Sequence, residues 1–158
     1  MEAATQMHAR GDTRQAVGEA LDRVLADTYI LYLKTQNFHW NVTGPSFPAL
    51  HAMFEQQYRE LAAAVDDLAE RIRALGRWAP GSYREFARLG SLAEGDGHPD
   101  ATTMLRTLVA DHETLAGVLR ELITIAEEKA DHATVDLLGA RLNAHEKTAW
   151  MLRSSLPR

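Results

Sequence analysis

A chain of 158 residues with a formal charge of −5 and no cysteine is long enough for one domain with a real core, and it has the wrong sign for a generic polyanion binder. Without cysteine there is no disulfide, thiolate zinc site or thiol catalysis, a composition that suits a reducing cytoplasm, which is the expected location. No apolar h-region follows Met1 and no apolar run nears membrane-spanning length, so neither a secretory signal nor a membrane partner is expected.

Residues 1–13 carry no helical pattern and are expected to form a mobile tail ahead of a domain spanning 14–156. Then Val17, Leu21, Val24, Thr28, Leu31, Thr35 and Phe38 alternate steps of three and four, the stripe of a first helix. Val42-Thr43-Gly44-Pro45 breaks it. Ser46 is the expected N-cap of a second helix, with Pro48 tolerated in its first turn. That helix should bury Leu50, Phe54, Tyr58, Leu61, Val65, Leu68, Ile72 and Leu75 and end at Gly76. So short a link makes the two helices antiparallel neighbours and brings His39 close to His51.

The stretch from Arg77 to Gly97 is too long for a tight turn and is expected to be a crossover. Within it, Ser82 and Glu85 form a capping box for a short helix stopped near Gly90. After His98-Pro99-Asp100 a third long helix carries Met104, Leu108, Leu115, Leu119, Leu122 and Ile125. A fourth carries Val135, Leu138, Leu142, Ala149 and Leu152. Two helical hairpins joined by a long crossover with a short helix of its own predict an all-α, ferritin-like four-helix bundle.

His39, His51, Glu55, Asp66 and Glu70 are the imidazoles and carboxylates that ions such as iron prefer. Singly, each has an ordinary reading, as a hydrogen-bonded structural histidine or a solvated carboxylate with i,i+4 partners such as Arg71 and Arg73. Together they are harder to dismiss. The last four fall within a sector of about 100° on one helix, whereas Asp67 lies a further 100° off the stripe, roughly, and is left out. The pair His51/Glu55 nevertheless stands fifteen residues, or about 22 Å of helix, from the pair Asp66/Glu70. No single ion spans that distance. An antiparallel two-fold pairing of identical helices would join the two ends and make two equivalent sites per dimer. No Glu-x-x-His pair occurs, which disfavours a di-iron site inside one bundle.

The run Phe38-His39-Trp40-Asn41-Val42 with Gly44, then Phe47, Leu50-His51, Phe54, Tyr58, Asp66 and Ala69-Glu70-Arg71-Ile72 resembles the Dps family, the mini-ferritins named as DNA-binding proteins from starved cells. A weaker similarity extends to Glu146-Lys147-Thr148-Ala149-Trp150-Met151. The resemblance implies a homododecamer built on two-fold dimers. It implies intersubunit ferroxidase centres that oxidise Fe(II), preferably with hydrogen peroxide, and a stored ferric mineral that protects DNA and cell from oxidative damage. His39, His51, Glu55, Asp66 and Glu70 would be the iron ligands, with Glu55, an Asp in other members, as a bridging or outer carboxylate.

Trp40 is expected to pack in the core, and the resemblance also sets it near the iron. Asp131 and Asp136 have an ordinary reading as favourable charge at a helix N-terminus. In the family, acidic residues of this stretch line iron-admitting pores, although Ala140 interrupts the series. His112 and His145 fall on apolar faces and are expected to be satisfied structural histidines. Two other classes stay open: a nucleoid-associated protein that coats DNA, and a helical assembly with a degenerate site. Many Dps proteins grip DNA through a lysine-rich tail, but here Arg10 and Arg14 stand without lysine and are offset by Glu2 and Asp12. DNA binding is therefore expected to be weak or absent.

Overall fold

Val17, Leu21, Val24, Thr28, Leu31, Thr35 and Phe38 are all buried, so the first apolar stripe is a core face. The two threonines sit there at little cost because each hydroxyl donates to the carbonyl four residues back, Thr28 to Val24 and Thr35 to Leu31. This face belongs to α1, Glu2–Asn41, in a computed structural model that describes residues 2–157, with side chains from residue 14. The expected tail over 1–13 therefore differs in its backbone, which is helical from Glu2. A run of Glu, Ala, Gln, Met and Arg supplies good helix formers even without an apolar stripe. The side chains of that segment, Arg10 among them, lie outside the described residues.

Helix α2, Phe47–Ala74, starts at Ser46 as expected, but the serine side chain makes no capping bond. Its other end is a Schellman motif: Gly76 N–H donates to Arg73 O and Arg77 N–H to Ile72 O, with Gly76 at φ +85°. Helix α3, Tyr83–Leu89, is the short crossover helix. Ser82 accepts from Glu85 N–H, and the Glu85 carboxylate accepts from Gly81 N–H and the Ser82 hydroxyl. The box thus closes one residue earlier than the usual pattern, on Gly81. These bonds, Gly81 first, hold the Glu85 carboxyl below its ordinary range. Helices α4, Ala101–Glu128, and α5, His132–Ser154, are N-capped by Asp100 and Asp131, whose carboxylates accept from Thr103 N–H and Thr134 N–H.

Two hairpins, α1/α2 and α4/α5, pack mainly through α1 on α4, while α2 and α5 meet only briefly. The described residues are helical apart from the connections. The core stripes hold, with Tyr58, Val65, Val135 and Leu142 half-buried and Ile125 37 % exposed, one turn before α4 ends. The crossover is fastened to α1 by a buried carboxylate. Asp27 Oδ1 accepts from Ser91 N–H (2.6 Å) and Leu92 N–H (2.9 Å), and Oδ2 accepts from the Ser91 hydroxyl (2.8 Å). Phe86 of α3 stacks on Tyr29 of α1 at 4.7 Å. A second buried pair, Lys34 Nζ to Asp111 Oδ2 at 2.6 Å, ties α1 to α4.

Candidate metal centre

The end of α1 and the start of α2 are held by two histidines that bond each other's backbone. His39 Nδ1 lies 2.8 Å from His51 O, and His51 Nδ1 lies 2.7 Å from His39 O. A carbonyl only accepts, so both Nδ1 atoms carry the proton and donate. A neutral ring with its proton on Nδ1 keeps its lone pair on Nε2. The fold therefore fixes the tautomer and aim of both rings before any ligand arrives, the arrangement metal-binding histidines need. The rings stack at 3.8 Å with 20° between planes. Tyr58 meets His39 edge-on at 5.2 Å, and Phe47 covers His51 at 5.0 Å. His39 is buried and His51 half-buried.

Glu55, one turn beyond His51, is bonded to Arg59 one turn further on. Arg59 is 70 % exposed, so releasing Glu55 towards an ion costs little. Asp66 and Glu70 are exposed and carry no hydrogen bond or ion pair among the described residues. Asp67 is exposed as well, so exposure does not separate it from Asp66; only the helical phase does. Among the described residues no three His, Asp or Glu side chains converge within one chain to hold an ion. The fold thus brings His39 and His51 together, leaves Glu55 on its pair with Arg59 one turn beyond, and leaves Asp66 and Glu70 apart, further along the same helix.

Three expectations change. Trp40 is 60 % exposed and is no core residue of the single chain. Asp131 accepts from Arg71 Nη2 at 2.6 Å and from the Thr134 hydroxyl at 2.7 Å besides capping α5. Its charge is thereby matched by a guanidinium, while Asp136 is exposed. His112 and His145 are buried and bonded to each other, Nδ1 to Nδ1 at 2.8 Å, yet His112 Nε2 has no partner. Sequence reasoning missed the buried Asp27, Lys34 and Arg141 altogether. Their partners lie 60 or more residues away in sequence, and no local pattern announces them.

The chain matches a family model described as a ferritin-like domain over residues 18–158. It is 42% identical over 90% of its length to an uncharacterized low temperature-induced protein of Nostoc, covering 81% of that protein. It is 37% identical to the DNA protection during starvation protein of Brevibacillus brevis, over 90% of this chain and 96% of that one. The crystal structure of a Dps protein from Vibrio cholerae, described as a member of a broad superfamily of ferritin-like diiron-carboxylate proteins, superposes with a TM-score of 0.88 at 30% identity, over 91% of each chain. The fold, the helical connections and these likenesses agree, and the chain belongs to the Dps family of ferritin-like proteins.

Proposed function

We propose that this chain is a ferroxidase subunit of a dodecameric cage. It takes Fe(II) as substrate, oxidises it with hydrogen peroxide in preference to oxygen, and stores the ferric product. The observation that carries the reading is the reciprocal pair of Nδ1–carbonyl bonds, which leaves two Nε2 lone pairs fixed side by side. Two imidazoles and Glu55 make half a site for a borderline ion. The missing half, Asp66 and Glu70, stands about 22 Å away along α2, measured from His51, and a two-fold mate delivers it. Anionic oxygen donors favour the ferric state, so the split donor set helps drive electrons out of bound Fe(II). Two ferrous ions together reduce one peroxide to water by two electrons, which avoids releasing hydroxyl radical.

The surface beside the site supports an assembled protein. Leu33, Trp40 and Tyr83 are exposed apolar residues that line one cavity of about 440 Å³ between α1 and α3. A second copy would cover this patch. Within the mechanism, His39 and His51 offer Nε2, and Tyr58 and Phe47 hold the rings in place. Glu55 either turns from Arg59 to the ion or remains paired and steadies the site from outside. Asp136, the freer of the two pore carboxylates, draws cations to the cage. With a net charge of −5, DNA protection proceeds by removing iron and peroxide and not by coating the duplex.

Anaerobic protein loaded with a few Fe(II) per subunit is mixed with peroxide or with oxygen, and ferric absorbance is followed. Peroxide should be faster, and light scattering should show a dodecamer. His39→Ala, His51→Ala, Asp66→Asn and Glu70→Gln should each slow oxidation in intact cages, and Asp67→Asn should not. Glu55→Gln should fall between, with a loss of about 10–100-fold if it supports the ligands from outside. Wild-type protein no faster than buffer would end the ferroxidase reading. Full activity in Asp66→Asn with loss in Asp67→Asn would overturn the helical phase.

A further inference from the structure

A polar chain runs inward from the exposed Glu60 to buried groups, away from the metal centre. Glu60 of α2 holds both terminal nitrogens of Arg141, and Arg141 Nη2 lies 3.3 Å from His145 Nε2. His145 Nδ1 lies 2.8 Å from His112 Nδ1, and there the chain stops, because His112 Nε2 has no partner. Both rings are almost wholly buried, at 2 % and 1 % exposure. Burial first, then the Arg141 charge, lowers the His112 pKa to about 3; burial, His112 and then Arg141 lower that of His145 to about 2. Both are neutral at ordinary pH, so each ring carries one proton.

The proton positions follow from the arginine. A guanidinium only donates, so His145 Nε2 must be the acceptor and the proton sits on His145 Nδ1. That N–H donates to His112 Nδ1, which therefore holds a lone pair. The His112 proton is then on Nε2, and the unpartnered atom is a buried N–H donor without an acceptor. A cation would need the opposite. Ligation through His112 Nε2 would flip both tautomers and point His145 N–H at the Arg141 guanidinium.

His112 and His145 line a cavity of about 310 Å³ between α4 and α5, which is also lined by Arg120, Glu146, Arg153 and Glu113. The last four form two exposed ion pairs, Arg120–Glu146 and Arg153–Glu113. Pairs so exposed contribute little, and either guanidinium can turn to a new anion with its planar fork. We propose that this groove binds a small free oxyanion of the phosphate type, held by the His112 Nε2–H donor and by Arg120 and Arg153. The donor lies beneath the surface, which favours a free anion over the phosphates of a polymer backbone.

The test is equilibrium dialysis of iron-free, assembled protein against labelled inorganic phosphate. Wild type should bind one phosphate per subunit. His112→Phe should weaken this about tenfold or more, since hydrogen bonds to charged groups are worth that much. His112→Gln, whose amide N–H reaches the place of Nε2–H, should restore it. The exposed Arg120→Gln/Arg153→Gln double variant should also lose about tenfold, and His51→Ala, in the separate metal centre, should bind as wild type does. Absence of phosphate binding, or equal binding by wild type, His112→Phe and the arginine double variant, overturns the proposal. Displacement of phosphate by short duplex DNA overturns the free-anion assignment, and saturable Zn(II) binding lost in His112→Phe overturns the tautomer argument.

Discussion

The buried histidine pair makes the stability of this protein depend on mild acid in a calculable way. In the unfolded chain each ring titrates near 6.5, whereas burial lowers His112 to about 3 and His145 to about 2 in the folded chain. Between those limits the unfolded state binds protons that the folded state refuses, so stability is complete above pH 6.5 and falls as the pH drops towards the folded values. Going from pH 7.5 to 5, each unfolded ring gains about 1.5 pH units of protonation free energy, or about 2 kcal/mol at 1.36 kcal/mol per unit. Two rings give about 4 kcal/mol per subunit. This figure uses only the unfolded pKa and holds so long as both rings stay neutral in the folded state at pH 5. Urea unfolding at matched subunit concentration, which association requires, should be compared with a His112→Gln/His145→Gln variant that cannot titrate. Wild type should lose about 4 kcal/mol more than the variant over this interval. Parallel losses in the two proteins would show that the pair is protonated when folded, and would remove the tautomer argument with it.

Two further outcomes follow from the long-range contacts. Lys34 and Asp111 are a buried pair with side-chain exposures of 2% and 13%, so Lys34→Ala should cost about 3–5 kcal/mol by stranding a carboxylate. Lys34→Met with Asp111→Leu should cost much less, and equal melting temperatures for the two variants would refute this. Asp131→Ala removes both a cap and the partner of Arg71 and should lower stability by about 1–3 kcal/mol. Asp136→Asn should leave stability unchanged but slow iron entry, as seen in stopped-flow ferrous uptake.

Much of the fold was legible because its causes are local. The apolar stripe of α1, the capping box at Ser82, the acidic start of α5 at Asp131 and the glycine at 76 are each decided within a turn or so of chain. The nearness of His39 to His51 followed from a short link between antiparallel helices. What the spacing could not carry was the backbone's part in that pair, since a carbonyl has no letter of its own in a sequence. Nor could it carry Asp27, which bonds across 64 positions, or the Arg71 that takes Asp131 out of its simple acidic role. Trp40 was misjudged for a related reason: an aromatic two positions past the core Phe38 points the other way on a helix, about 200° around.

The reciprocal histidine bonds make the connection between α1 and α2 a ruler. Each ring is aimed by a carbonyl on the other helix, so the distance from His39 O to His51 O is set by the link through Gly44, at φ +106°. One residue added or removed there would rotate α2 by about 100° and uncouple both rings together. The aim of both rings is thus written in the length of this link and not in the identity of its side chains.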